Sequence, residues 1–169
     1  MTLYVALLRA VNVGGTGKMP MAALRALCTE AGFKNARTFI ASGNVVFESE
    51  ANEASVKTRL ERALQAYAGK PVRAMIRTRQ ELAAILAENP FADAPPSRCL
   101  VIFLDAPPPP DALLKVTGQN AEEIAPGRRE IYVHYVDGQA DTKLRIPAAS
   151  SGTGRNLNTV AKLESFARG

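Results

Sequence analysis

The hydrophobic pattern begins with a continuous apolar run and then changes to helical spacing. Residues 3–8 (LYVALL) are all apolar, which is typical of a central strand that is covered on both faces. Pro20 suits the first turn of a helix, apolar side chains repeat at helical spacing over residues 21–31, and Gly32 follows as a C-terminal cap. The pattern therefore predicts a buried strand followed by an amphipathic helix.

The following segments continue this alternation of strand and helix. Residues 37–40 and 45–47 flank Ser-Gly-Asn at positions 42–44, where Gly and Asn tolerate the positive φ of a tight hairpin turn. A helical repeat covers residues 56–67, and residues 72–76 predict a fourth strand. The order strand-helix-strand-strand-helix-strand is the split βαβ, or ferredoxin-like, arrangement, in which both helices lie on one face of an antiparallel sheet.

The second half of the chain repeats much of this order after a capping box formed by Thr78 and Glu81. Its predicted elements are a helix that follows this box and ends near residues 89–90, a strand at 99–104, a helix at 111–116, a hairpin of 123–125 with 130–136, and a terminal helix over 157–166. We therefore predict an α+β fold of two ferredoxin-like (split βαβ) subdomains, residues 1–77 and 78–169, packed as one globular unit. The second subdomain is expected to cover the outer face of the first strand.

Composition supports a folded protein and places its positive charge unevenly. The chain of 169 residues is 47% hydrophobic and 22% charged, which is typical of globular proteins and excludes a disordered chain. The formal net charge is +5, but residues 1–80 hold 12 Lys/Arg against 5 Asp/Glu. We expect an anionic partner to meet the first half, and the alternative is a basic solvated surface without a ligand.

Cysteine usage and the apolar run lengths indicate the compartment. Cys28 and Cys99 fall within apolar patterns, so we interpret them as core residues in a reducing environment. The amino terminus has no basic leader, and no stretch approaches the ~20 apolar residues that a membrane span needs. We expect a cytoplasmic protein without a membrane partner; its oligomeric state is left open.

Three segments rich in Gly and Asn, with basic residues, stand at the ends of the predicted elements. They are residues 9–18 (RAVNVGGTGK), 42–44 (SGN) and 151–162 (SGTGRNLNTVAK). Together they resemble the uncharacterised bacterial family called domain of unknown function 1697. The matching stretches are residues 7–9 with 12–15, residues 41–47 (ASGNVVF), and Thr153, Arg155, Asn156, Asn158, Thr159, Lys162 and Leu163.

The sequence departs from this family at two positions, where Ala10 replaces the usual Gly and Leu157 replaces a frequent aromatic residue. The second departure argues against a stacking contact from the terminal helix. The resemblance covers essentially the whole chain and implies a two-subdomain α+β fold related to ferredoxin-like units. It implies no activity, substrate or cofactor.

The first segment, residues 9–18, contains residue types that suit an anion pocket, but it does not match the P-loop of nucleotide-hydrolysing proteins. Asn12 replaces the first Gly that the P-loop requires, and Met19 replaces the Ser or Thr that would reach magnesium. Successive backbone N–H groups at Gly14 and Gly15 can still bind an anion. Arg9 and Lys18 would then supply the positive charge, and the alternative is a plain strand-to-helix turn.

The third segment offers the same chemistry with an equally simple structural alternative. Arg155 provides a bidentate fork and Lys162 lies two turns along the helix, so both suit an anion. Alternatively, Thr153 or Asn156 caps the terminal helix and Arg155 pairs with a carboxylate. Asn44, like the other asparagines, suits either a ligand or a turn bracket.

Nucleophilic and metal chemistry find little support in the residue pattern. His134 is the single histidine, and a triad with Ser42 and Asp137 or Asp141 has no supporting spacing. A histidine bonded within the sheet or facing solvent is the simpler interpretation. One His and two core-like Cys serve a zinc site poorly, so we predict no metal and no cofactor.

We predict an uncharacterised protein that binds an anionic or phosphorylated small molecule or nucleotide. The candidate binding residues are Arg9, Asn12, Gly14, Gly15, Lys18, Ser42, Asn44, Arg155, Asn156 and Lys162. One alternative is an enzyme that acts on an anionic metabolite, and catalytic residues are not assigned. The other is a nucleic-acid-binding module that contacts phosphates through Arg59, Arg62, Lys70, Arg73, Arg77 and Arg79. This module would lack the aromatic pattern of ferredoxin-like RNA readers.

Overall fold

A computed structural model describes residues 1–9, 19–39 and 43–168, and this part of the chain forms an α+β fold with two sheets. The chain divides into two compact units. The first unit comprises Met1–Glu81 together with Ser165–Gly169, and the second comprises Leu82–Glu164. Each unit contains a four-stranded antiparallel sheet, so the predicted fold class is confirmed.

The first unit has the predicted order of strands and helices. Its strands and helices are β1 (Thr2–Leu8), α1 (Met21–Glu30), β2 (Lys34–Thr38), β3 (Asn44–Ser49), α2 (Glu53–Ala68) and β4 (Ala74–Thr78). The strands lie in the order β2-β3-β1-β4, and every neighbouring pair is antiparallel. This is the ferredoxin-like order, with β1 and β3 in the centre.

Both faces of β1 are buried, as its continuous apolar run predicts. Alternate side chains such as Ala6 and Leu8 belong to a core cluster that includes Phe47 of β3 and Leu60 of α2. On the opposite face, Val5 is fully buried as well. The centre of this sheet is therefore buried on both faces, and its edges and strand ends are the places where polar groups reach solvent.

The second unit repeats the strand order of the first. Its helices and strands are α3 (Arg79–Ala87, which begins in the first unit), β5 (Cys99–Phe103), β6 (Glu123–Pro126), β7 (Glu130–His134), β8 (Thr153–Asn156) and α4 (Leu157–Ala167, which ends in the first unit). The order β6-β7-β5-β8 matches that of the first sheet, strand for strand. The predicted capping box is present, since Thr78 N donates to Glu81 Oε1 over 2.9 Å and Glu81 N donates to Thr78 Oγ1 over 3.2 Å.

The second unit differs from the prediction in how its strands are connected. The helix predicted at 111–116 is a single 3₁₀ turn, Ala112–Lys115, and a second 3₁₀ turn, Pro147–Ala149, lies between β7 and β8. The turn ends because the backbone of Val116 is extended, with φ −70° and ψ 137°, so no further helical turn follows. Strand β8 was not predicted, because its sequence (TGRN) lacks apolar alternation.

The two cysteines are buried and unpaired with each other, as their apolar surroundings predict. Cys28 lies in the core cluster of the first unit, and burial raises the pKa of its thiol to about 12. Burial, with a smaller contribution from Glu123, also raises the pKa of Cys99. Neither thiol is activated as a nucleophile, since the thiolate is disfavoured at both positions.

The last turn of α4 packs on the edge strand of the first sheet. The Phe166 ring stacks on Phe39, with 4.8 Å between the ring centroids. The Arg37 guanidinium lies 4.7 Å from the centre of the same Phe166 ring. This contact between an arginine and two aromatic rings explains why Ser165–Gly169 belongs to the first unit.

Candidate functional site

Two of the three polar segments meet at the carboxyl end of β1. Leu8 N donates to Gly43 O over 2.8 Å, which joins the end of β1 to the β2–β3 hairpin. Gly43 has a φ of +81°, which glycine adopts without strain. The next residue, Arg9, is exposed and its backbone N donates to Arg73 O over 2.9 Å. Arg9 of the first segment and the hairpin of the second therefore lie at one sheet edge.

Asn44 brackets the hairpin with both its backbone and its side chain. Its Nδ2 donates to Phe39 O over 3.1 Å, and Phe39 N donates to Asn44 O over 3.1 Å. Asn44 is completely buried at the start of β3. This geometry corresponds to the turn-bracket alternative, in which the amide satisfies a backbone carbonyl.

Half of the predicted binding residues lie outside the described residues. They are Asn12, Gly14, Gly15, Lys18 and Ser42. The first four follow Arg9 in the sequence, and Ser42 immediately precedes Gly43. Their contribution to a binding site therefore stays a prediction.

The start of β4 is held in place by charged side chains of α2. Glu61 Oε2 accepts from Ala74 N over 2.9 Å and from Lys57 Nζ over 2.7 Å. Lys57 Nζ also donates to Ala74 O over 2.6 Å, so both polar groups of the Ala74 backbone are fixed. We call these contacts of Glu61 and Lys57 the clamp on Ala74. Arg73 precedes this clamp, and its guanidinium lies 3.6 Å from Glu61 Oε1.

The glycines of the third segment are explained by strand packing. A Cβ atom on Gly152 would lie 2.7 Å from Phe103 O and 2.8 Å from the side chain of Ile102. One on Gly154 would lie 3.0 Å from Leu100. These glycines allow β8 to approach β5 closely. This close packing is sufficient to explain why both positions are glycine.

Arg155 is a buried residue of β8 and lies opposite Val101 of β5. The side chain is only 7% exposed, and its Nη1 donates to Thr153 Oγ1 over 2.7 Å and to Gly154 O over 2.9 Å. Burial lowers the pKa of Arg155 to about 10, so the guanidinium is still charged at neutral pH. The described bonds anchor this charge inside the second unit.

Asn156, the last residue of β8, and Lys162, on α4, occupy different environments. Asn156 Oδ1 accepts from Thr159 N over 2.9 Å, which is the geometry of a helix N-cap. Lys162 is exposed on the helix surface. Asn156 therefore performs the capping role that was one of the two predicted alternatives.

Replacing Asn156 with alanine is expected to lower the free energy of unfolding by about 1 kcal/mol, because α4 loses its cap. Asn156→Ser keeps a capping oxygen and should retain nearly all of the stability. Urea unfolding followed by circular dichroism measures both. Equal destabilisation by the two substitutions would contradict a capping role.

His134 interacts with a side chain of the neighbouring strand β6. Its Nδ1 lies 2.7 Å from Glu123 Oε1 on β6. Ser42 lies outside the described residues, and neither Asp137 nor Asp141 has a described bond to the imidazole. This agrees with the interpretation of a histidine bonded within the sheet.

One arginine predicted for the nucleic-acid-binding alternative is not at the surface. Arg77 is buried, at 1% exposure, and its Nη1 donates to Ile76 O over 2.9 Å. The side chains of Arg59, Arg62, Lys70 and Arg73 are exposed. The register of β4 explains the difference, because Arg77 lies opposite Val5 on a covered face of the sheet.

Within residues 1–9, 19–39 and 43–168, no helix has the length and apolar character to span a membrane. In the same ranges, His, Cys, Asp and Glu side chains form no group of three or more that suits a metal ion.

These observations define an α+β protein with two antiparallel sheets of ferredoxin-like strand order and a polar, arginine-bearing edge at the end of β1. The chain belongs to the family DUF1697, described as proteins of unknown function, whose profile matches residues 1–132. The predicted family resemblance is thereby confirmed.

A solved structure shares the whole fold. The conserved bacterial protein SP0830 from Streptococcus pneumoniae superimposes with a TM-score of 0.81 at 23% sequence identity, covering 100% of this chain and 99% of that chain. At this identity the likeness concerns the fold alone. Among curated proteins, none is significantly similar in sequence.

Proposed function

We propose that this protein binds an anionic small molecule, a phosphorylated metabolite or nucleotide, at the carboxyl end of β1. The observation that carries the proposal is the hydrogen bond from Arg9 N to Arg73 O, 2.9 Å long. It places two exposed arginines side by side, one after the end of β1 and one before the start of β4. The β2–β3 hairpin lies at the same end of the sheet. Guanidinium groups are the side chains best suited to bind phosphate or carboxylate oxygens.

The charge distribution favours an anion at this edge. Residues 1–80 carry 12 Lys/Arg against 5 Asp/Glu, so the surrounding unit is strongly positive. Such a field steers anions toward it and raises their association rate. Glu61 is the acidic group beside Arg73, and its carboxylate is already shared with Lys57 and the Ala74 backbone.

The proposed site comprises Arg9 and the described residues beside it at the carboxyl end of β1. The sequence-based candidates Gly14, Gly15, Lys18 and Ser42 lie outside the described residues, and their part in binding stays a prediction. Arg155 and Asn156 are not included, because their described bonds serve β8 and α4.

Arg9→Gln is expected to remove most of the stabilisation that an anionic ligand provides. A ligand present at 100 times its Kd adds about 2.7 kcal/mol, which raises the Tm by roughly 5–10 °C for a chain of this size. We would screen inorganic phosphate, pyrophosphate and nucleoside mono- and triphosphates by thermal unfolding. The Arg9 variant should show less than about a third of the wild-type shift, since a charge-assisted hydrogen bond is lost.

The matched control is Arg25→Gln, which removes the same charge from an exposed position on α1. It should leave the ligand-induced shift nearly unchanged. A screen in which no anion raises the Tm, or an equal loss in both variants, would contradict the proposal. Oligonucleotides form a further arm, and affinity that grows with strand length and falls steeply with salt would favour the nucleic-acid alternative.

A further inference from the structure

We propose that Arg73 is a second ligand-binding residue of this site and that the ligand carries a dianionic phosphate monoester, with Glu61 competing against the ligand for Arg73. The inference rests on the proposed function and extends it to a residue that no sequence motif includes. Three observations carry it: the backbone pairing of Arg9 with Arg73, the loose hold of Glu61 on Arg73, and the clamp on Ala74.

The backbone pairing fixes the two arginines relative to each other. Leu8 lies opposite Ala74 in the antiparallel register of β1 and β4, and the Arg9 N to Arg73 O bond continues this ladder by one residue. Directly opposed residues in an antiparallel pair have Cβ atoms about 4.5–5.5 Å apart. Two guanidinium groups that start from such positions can reach oxygens of the same phosphate.

The side chain of Arg73 is accessible and weakly held. It is 64% exposed, and its Nη1 lies 3.6 Å from Glu61 Oε1. Charge-assisted hydrogen bonds of arginine are about 2.7–2.9 Å long, so this pair is looser than a direct bond. A long ion pair whose arginine is exposed contributes little, although the Glu61 side chain is only 18% exposed, and a phosphate oxygen can displace it.

Glu61 is better engaged with its other partners than with Arg73. Its Oε2 accepts from Lys57 Nζ over 2.7 Å and from Ala74 N over 2.9 Å. The carboxylate therefore keeps two short bonds when Arg73 turns toward a ligand. The same bonds hold Ala74 in place, and with it the carbonyl of Arg73 that accepts from Arg9 N.

A pair of arginines matches the charge and oxygen count of a phosphate monoester. Such a group carries a charge of about −1.5 to −2 at neutral pH and three terminal oxygens. Two planar guanidinium forks can each bind two oxygens, one of them shared. A phosphodiester has one charge and two terminal oxygens, so it uses the second arginine poorly.

The test compares methyl phosphate with dimethyl phosphate, a monoester and a diester of similar size. Phosphorus NMR titration at pH 8 measures weak binding of both to the full-length protein. Wild type should bind the monoester at least about tenfold more tightly, as expected for one additional charge-assisted hydrogen-bonding group. Arg73→Gln should lose this preference, and Arg62→Gln, an exposed charge control on α2, should keep it.

The competition with Glu61 gives a second readout. Glu61→Gln should tighten methyl phosphate binding severalfold, because Arg73 loses its counter-ion while the amide can still accept from Ala74 N. In an Arg73→Gln background the same substitution should give no gain. Thermal unfolding of each variant checks that the clamp on Ala74 persists.

The outcomes separate the inference from the function on which it rests. Monoester binding that depends on Arg9 but is unchanged by Arg73→Gln would overturn the inference and leave the proposed function standing. Binding of neither ester to wild type would count against both. A gain from Glu61→Gln that persists without Arg73 would also overturn the competition.

Discussion

Replacing Gly118 with alanine is expected to lower the free energy of unfolding by about 2–5 kcal/mol. Gly118 has a φ of +71°, and a Cβ atom there would lie 2.0 Å from the backbone oxygen of Lys143. The neighbouring residues Thr117 and Arg145 form a β-bridge across this point. Alanine must therefore either push the two segments apart or adopt another backbone conformation. Urea unfolding followed by far-UV circular dichroism measures the loss.

Gly138 provides the matched control for this substitution. Its φ is +85°, but no atom lies within 4 Å of the Cβ position. Gly138→Ala should therefore cost only the left-handed strain, about 1–2 kcal/mol. If the two alanine variants lose the same stability, close approach of the Lys143 carbonyl is not what requires glycine at position 118.

Replacing Arg155 with alanine is expected to cost about 3 kcal/mol of stability. The substitution removes a large buried side chain from β8 together with its hydrogen bonds to Thr153 Oγ1 and Gly154 O. Because the described bonds of Arg155 are structural, we expect the phosphate-induced thermal shift to persist in the folded variant. Chemical unfolding and the anion screen on the same protein measure both properties.

Lys162→Ala is the comparison for this experiment. It removes a positive charge from the exposed face of α4 and should change stability by less than about 0.5 kcal/mol. An Arg155→Ala variant that keeps its stability but loses anion binding would restore Arg155 to the binding site. A loss of binding in Lys162→Ala would likewise extend the site to α4.

The first unit is well predicted from sequence because its elements are regular. The apolar run at residues 3–8 and the helical repeat at 56–67 have clear periods, and β1 and α2 follow them closely. Gly69 has a φ of +72° and ends α2 as a left-handed cap. Local pattern and tertiary structure agree in this part of the chain, so composition and spacing are sufficient.

Strand β8 and the pairing of Arg73 with Arg9 show where sequence reasoning fails. The TGRN sequence of β8 obtains its strand structure from pairing with β5, and no local period reveals a partner 50 residues away. Arg73 has no motif around it, and only the register of β4 against β1 brings it beside Arg9. Both depend on long-range contacts that a single sequence does not encode locally. Residue type alone also did not decide whether Asn44 and Arg155 are buried or face a ligand.

The contact of Phe166 with Phe39 and Arg37 has a consequence for how the protein is made. The ribosome synthesises residues 1–81 first, then all of the second unit, and only afterwards the turn of helix that covers the edge of the first sheet. In a nascent chain released before Phe166, the Phe39 ring and the Arg37 guanidinium lack the ring that covers them. Truncated translation products are therefore expected to expose strand β2 to proteases, whereas a chain that includes Phe166 protects it.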